Sequence, residues 1–162
     1  MARILIAILA MITISTGAFA QDSSQIARVQ AGQSCSGCNL FQADLAYRDL
    51  PGIDVSGARL RQANLALSTL NRARMDNTDL SVANLFGARL TGASLRNANL
   101  SQAVLVGTYF GSANLSGATL AGANLSGAEM SNTRGLTQSQ LNTACGDAAT
   151  ELPAGLHVPR CD

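Results

Sequence analysis

Four cysteines, one histidine and a short run of aspartates are the residues of this 162-residue chain equipped for chemistry. Cys35-Ser36-Gly37-Cys38 has the spacing of a thiol-redox pair, and with Cys145 and Cys161 it completes a set of four that allows three pairings. A redox motif normally opens a helix inside a strand–helix–strand unit, and no such pattern surrounds Cys35. His157 has Cys161 and Asp162 nearby, but no second histidine and no matched carboxylate pair from which a metal or nucleophile site could be built. Asp44, Asp49 and Asp54 form a carboxylate cluster in one dimension. Gly87, Gly107 and Gly127 recur at a fixed spacing, yet no strand–loop–helix context and no lysine accompanies them, so they mark turns and not a phosphate loop. These residues point away from catalysis, and they call for no cofactor and no metal.

The elements that position them follow from one periodicity. From Leu40 to Met130 a large apolar residue stands at every fifth position for 19 consecutive repeats, and 15 of the 19 are Leu. Val55, Met75, Phe110 and Met130 complete the set, and Ala stands two residues before the apolar position 13 times. The unit is A-[DN]-L-x-x, as in Ala43-Asp44-Leu45, Ala63-Asn64-Leu65, Ala98-Asn99-Leu100 and Ala123-Asn124-Leu125. A period of five fits neither an α-helix at 3.6 nor a strand at 2.0, so the chain must turn at each repeat and stack as a solenoid.

This repeat resembles the pentapeptide-repeat family. The resemblance implies an all-β solenoid, a right-handed quadrilateral β-helix in which each pentapeptide is one side and four make a coil. The central residue and the Ala two before it then point inward. Nineteen repeats make nearly five 20-residue coils, a rod of roughly 22 Å at about 4.8 Å per coil. The expected organisation is a signal peptide over 1–20, an N-terminal cap segment over 21–35, the solenoid over 36–133, and a cap helix with a tail over 134–162. Arg48 falls in an inward slot, where a buried unpaired charge would cost several kcal/mol. The coil is therefore expected to distort at Tyr47–Gly52, with Arg48 turned to solvent and Pro51 and Gly52 at the break. Ile53, in the next small-residue slot, should enlarge that corner further. Thr137-Gln138-Ser139-Gln140 is a capping box that should open a short helix ended by Gly146. Residues 24–37, with Ile26 and Val29, should form a partial lid at the other end.

Residues 1–20 have the order of a secretory signal: Arg3, an apolar run of 11 residues from Ile4 to Ile14, then Ala18-Phe19-Ala20 before Gln21. The run is about half the roughly 20 residues that span a bilayer, so no membrane anchor should remain after cleavage. The expected address is periplasmic or secreted. Without Arg3, ten basic residues, all Arg, balance ten acidic ones, a composition that suits neither a nucleic-acid binder nor a mimic of one.

On a rod of this length the two cysteine pairs sit at opposite ends, farther apart than the roughly 7 Å a disulfide allows. That leaves Cys35 with Cys38 and Cys145 with Cys161 as the pairs; Cys38 falls in an inward slot that would equally hold a free thiol, so the oxidation of the first pair stays open. Asp44, Asp49 and Asp54 project from three different sides, too far apart to share a proton. Residues 20 apart stack in columns, which sets Asp54 beside Arg74, Arg59 beside Asp79 and Asp76 beside Arg96. Asn64, Asn84 and Asn124, interrupted by Val104, form an amide ladder that stabilises the coils. One side is apolar: Ala46, Ala66, Phe86 and Val106, flanked by Tyr47, Leu67 and Val104. Such a strip marks a contact with an unidentified protein partner, with a second copy, or with the molecule's own tail. The family also implies a rival function, the topoisomerase-binding DNA mimic of the quinolone-resistance type, which would require dense acidic columns and a cytoplasmic address.

Overall fold

The computed structural model describes residues 21–162; residues 1–20, expected to be a signal peptide, lie outside the described residues. Parallel single-residue bridges join positions 20 apart, from Asn39↔Arg59 through Asn114↔Arg134, so four pentapeptides close one coil. Each coil hydrogen-bonds to its neighbours in both directions: the Leu100 amide donates to the Thr119 carbonyl at 2.8 Å, and the Asn99 amide to the Thr78 carbonyl at 2.9 Å. This ladder satisfies the backbone without any long strand. Leu80, Leu100 and Leu120 stack in one interior column, and all are buried, as are all 13 alanines.

The corner explains both the Ala and the residue after the apolar one. In every repeat the amide of the small residue donates back to the carbonyl of the apolar residue three before it, as in Ala43 to Leu40 at 3.0 Å. The third residue of each such turn is left-handed, with φ between 54° and 70° from Gly37 to Gly127, the signature of a type II turn. Where Ala fills the slot the turn bond is 2.7–3.1 Å; it is 3.4 Å at Cys38, Arg48, Ile53 and Thr78. A methyl lets the turn close in every case, whereas larger side chains give bonds from 2.9 Å at Thr133 to 3.4 Å. Buried hydroxyls in this slot find carbonyls, Ser68 on Leu65 at 2.7 Å and Thr78 on Met75 at 2.6 Å.

The Asp or Asn before the apolar residue also has a local task. Its side-chain oxygen accepts the amide two residues on, as Asn99 does from Ser101 and Asn124 from Ser126, at 3.1 and 3.0 Å. This Asx turn bends the chain out of the side and into the corner.

Arg48 corrects the expected break. Its side chain is exposed, but the coil runs on in register through Asp49↔Thr69, and the Gly52 amide still reaches the Asn71 carbonyl at 2.8 Å. Arg48 lies in the lowest coil, with no coil beneath that corner, so it leaves the interior at the expense of one stretched turn bond. Ile53 is accommodated inside, only 4% exposed.

The ends also differ from expectation. The N-terminal lid is a helix, α1 (Ser23–Gln30), with Asp22 as N-cap accepting the Ser24 and Gln25 amides, and Val29 buried against the first coil. Three glutamines fasten this end to exposed backbone: Gln21 to the Gln42 carbonyl, Gln30 to the Asp44 carbonyl, and Gln25 to the Asn39 amide. The ladder already engages Cys35, whose amide donates to the Asp54 carbonyl. At the other end α2 (Gln138–Leu141) carries the capping box between Thr137 and Gln140. It stops at Asn142 instead of running to Gly146, because Cys145 returns to the coil and bridges Asn124, and Gly146 pairs with Arg160. Leu141 is fully buried over the last repeats.

Candidate interaction surface

One side of the solenoid and its two bounding corners carry the exposed apolar residues. The side presents outward Asp44, Asn64, Asn84, Val104 and Asn124, which follow one another through parallel bridges. One corner holds Tyr47, Leu67, Phe86 and Val106. Tyr47 is 77% exposed, Leu67 46%, Phe86 48% and Val104 39%, whereas Val106 is half-buried. Leu67 lies across Gly87, where a Cβ would come within 2.7 Å of its Cδ2, so the left-handed corner stays bare above it.

The termini meet this strip only at its ends. At the top the Gly127 amide donates to Asp147, and Cys161 Sγ lies 3.6 Å from Ser126 Oγ; at the bottom Gln21 and Gln30 reach the Gln42 and Asp44 carbonyls. Among the described residues, the terminal segments make no hydrogen bond to this side between Tyr47 and Val106. Two exposed residues escaped the sequence reading. Val82 occupies the other corner of the same side, and Tyr109 stands beside the Arg89 guanidinium, 5.8 Å from its carbon to the ring centre. Both share the 20-residue register, and column positions 62-82-102 and 89-109 would have found them.

Elsewhere two pairs of opposite charge stack along the columns. Asp54 pairs with Arg74 at 3.6 Å, and Asp76 takes Arg96 at 2.6 Å through Nη2. Asp76, 8% exposed, also accepts the Ser94 hydroxyl and the Arg96 amide. Those bonds, led by the Arg96 side chain, hold its carboxyl below the ordinary aspartate value. Asp54 is held down chiefly by the Ser56 amide. Asp79 accepts from Ser81 and Asn99. Asn84 donates to Asn64 and Asn64 to Asp44, which makes the lower part of the amide ladder.

The residues equipped for chemistry are kept apart. Asp44, Asp49 and Asp54 bridge to three different columns, at Asn64, Thr69 and Arg74. His157 is exposed, its backbone paired with Gln138. Gly87, Gly107 and Gly127 are corner residues at φ 61°, 63° and 64°. Cys35 and Cys38 are joined across the first turn with Cα atoms 5.6 Å apart, and Cys145 and Cys161, 4.8 Å apart, tie the tail back to the last coil. Among the described residues no group of three or more His, Cys, Asp or Glu is placed to hold a metal ion, and no helix is long and apolar enough to cross a membrane.

Five-residue sides, left-handed corners and a 20-residue ladder define a four-sided repeat solenoid. The family profile described as "Pentapeptide repeats" matches in eight copies over residues 38–81, 63–102, 83–120 and 103–134. The chain belongs to the pentapeptide-repeat family. Among solved structures it is similar to a pentapeptide repeat protein from the cyanobacterium Cyanothece 51142, at 24% identity over 80% of this chain and 98% of that one, with a TM-score of 0.56. It is also similar to a pentapeptide repeat protein from Nostoc PCC 7120, with 29% identity over 85% of this chain and 88% of that one and a TM-score of 0.46. QnrB1, a plasmid-mediated fluoroquinolone resistance protein, aligns at 18% identity over 79% of this chain and 87% of that one, with a TM-score of 0.39. No curated protein matches the chain.

Proposed function

We propose that this protein is an exported, non-enzymatic scaffold: a rod of nearly five coils that binds another protein through its apolar side. The observation that carries the reading is the exposed apolar strip from Tyr47 to Val106, which the described terminal residues reach with hydrogen bonds only at its two ends. Large apolar side chains left in water are the usual mark of a protein contact. Two disulfides in so short a chain suit an oxidising compartment, periplasm or medium, in keeping with the signal-like order of residues 1–20. A DNA mimic would need acidic columns, and here the charged columns alternate in sign.

The test is photo-crosslinking in the native host from position 86. A partner crosslink, or self-association, that is lost in Phe86→Arg with Leu67→Glu while the thermal midpoint holds supports the reading. Unchanged association in that double variant refutes it. Arg74→Glu, which disturbs only the exposed pair with Asp54, should alter neither property. Protein from the exported fraction should begin at Gln21; intact Met1 in a soluble cytoplasmic fraction would refute export.

A further inference from the structure

Cys35-Ser36-Gly37-Cys38 is a motif that neither the ladder nor the interaction surface uses. Cys35 and Cys38 are the first and last residues of a corner, with left-handed Gly37 between them at φ 70°. The same four-residue turn closes the other corners with an amide–carbonyl bond alone, as in Ala43 to Leu40 and Ala63 to Leu60, both at 3.0 Å. The fold therefore does not require a covalent link here. Its own bonds through this corner bypass the sulfurs: the Cys35 amide donates to the Asp54 carbonyl at 2.8 Å, the Gly37 amide to the Ser56 carbonyl at 2.8 Å, and the Arg59 amide to the Cys38 carbonyl at 2.9 Å.

The reduced pair fits the same sites. Cys35 stands in an interior apolar column, one coil below Val55, and is 3% exposed; Cys38 stands in the small-residue column below Ala58 and is half-buried. A thiol in either place is a small apolar side chain. The corner holds the two Cα atoms 5.6 Å apart, a separation from which the bond can re-form. Oxidised and reduced states thus share one backbone.

The second disulfide has different surroundings. Cys145 and Cys161 lie 16 residues apart and fasten the tail, and the chain beside them is bonded on both sides, the Gly146 amide to the Pro159 carbonyl and the Cys161 amide to the Gly146 carbonyl. Cys161 Sγ also lies 3.4 Å from Asn124 Oδ1 and 3.6 Å from Ser126 Oγ. Exposure does not separate the two pairs, since Cys145 and Cys161 are half-buried as well. The surroundings do: Ser36 and Gly37 are exposed, and nothing lies within 4 Å of where a Gly37 Cβ would stand, so no neighbouring segment covers that corner.

We propose that Cys35–Cys38 is a thiol–disulfide exchange site, a two-electron acceptor for a dithiol protein, and that Cys145–Cys161 is a fixed structural bond. One thiolate of the dithiol attacks Cys38 Sγ; the bond to Cys35 breaks, and Cys35 leaves with the electron pair. The second thiolate of the dithiol then attacks its own partner sulfur in the mixed disulfide and releases Cys38. Each released sulfur takes up a proton that the dithiol gave up, so the dithiol ends as a disulfide and the corner as two thiols. The pair receives the attack because it lacks the setting of an attacking thiol: it follows the C-terminal end of α1, whereas a thiolate is stabilised at a helix N-terminus.

The experiment incubates the folded chain with a thioredoxin-type dithiol protein whose second cysteine is changed to Ser, which arrests exchange at the mixed disulfide. Peptide mapping should find the adduct on Cys38 about tenfold faster than on Cys145 or Cys161, the scale of one backbone bond that the tail must give up. Dithiothreitol in place of the protein should open Cys35–Cys38 with the circular dichroism unchanged. Cys35→Ala with Cys38→Ala should fold and lose less of its urea midpoint than Cys145→Ser with Cys161→Ser, since it removes a much shorter closed loop. An adduct that forms equally on the two pairs overturns the proposal, as does a Cys35–Cys38 bond that opens only in denaturant, or an equal loss of midpoint in the two double variants. In the native host, alkylation at the moment of lysis should find Cys35 and Cys38 partly as thiols while Cys145 and Cys161 stay joined; complete oxidation of both pairs there also overturns it.

Discussion

Leu100 and Ser101 are adjacent in sequence and opposite in consequence. Leu100 is fully buried in the interior column between Leu80 and Leu120, so truncation to Ala leaves a void with coils on both sides that are pinned by ladder bonds. Neither neighbouring coil can sink to fill it without stretching bonds such as Leu100 to Thr119 at 2.8 Å. Leu100→Ala should therefore destabilise the rod by about 2–5 kcal/mol, toward the upper end of the range because collapse is resisted. At about 3 °C per kcal/mol for a domain near this size, the midpoint should fall by roughly 6–15 °C. Ser101 turns outward, and its contributions to the fold, an amide given to Asn99 and a carbonyl that accepts Val82, are backbone contributions that Ala retains. Ser101→Ala should stay within about 0.5 kcal/mol. Urea unfolding followed by circular dichroism compares the two directly, and equal midpoint shifts would refute the inward and outward assignment on which every surface argument depends.

Three other outcomes are expected. Non-reducing peptide mapping should join Cys145 to Cys161, and Cys145→Ser with Cys161→Ser should lower stability by about 3 kcal/mol in the chain-entropy model while freeing the tail from its covalent tie at Cys145. A link from either residue to Cys35 or Cys38 within one chain would contradict the fold. Asp76→Ala should lower stability by about 1–3 kcal/mol, since it leaves the Ser94 hydroxyl and the Arg96 amide without their acceptor. Because the folded Asp76 carboxyl is depressed, its contribution is present above the unfolded aspartate value near 3.8 and is lost as pH falls through the lower folded value. An acid titration of stability should thus be shallower in Asp76→Asn than in the parent, and an unchanged profile would show that this carboxylate does not couple to folding.

The solenoid was legible because its signal is averaged over 19 repeats: one Leu or one Ala carries little, but a register held from Leu40 to Met130 leaves no other architecture. The ends repeat nothing, so each rests on local chemistry alone. At α1, eight residues offer too few turns for helical periodicity to stand out, although Asp22 as N-cap with Ile26 and Val29 on one face was the available signal. Gly146 reads as a helix stop on composition, but the competing pull is tertiary, since Cys145 pairs with Asn124. Arg48 illustrates the opposite error. A rule for buried charge predicted a broken coil, yet in the lowest coil the side chain escapes while the backbone keeps its bonds. Of the candidate surface, Tyr47, Leu67, Phe86, Val104 and Val106 could be read from 20-residue columns. Val82 could not be weighed without φ, because its strain is a property of the corner and not of the residue type.

Interior and exterior answer to different demands in such a rod. Inside, every repeat meets the same requirement, and deviations such as Ile53 or Thr78 register only as a turn bond lengthened to 3.4 Å. Outside, the ladder asks nothing of a side chain beyond the Asx turn, so a sequence drifting under the fold alone would fill the corners with Gly, Asn and Ser, as most of this surface does. Some columns that carry charge also carry its partner, as in Asp54–Arg74 and Asp76–Arg96. The side bounded by Tyr47 and Val82 departs from that habit of the corners: it places apolar residues where the backbone prefers glycine. The fold gains nothing from these choices, and the proposed contact is a reason for them that the fold does not supply.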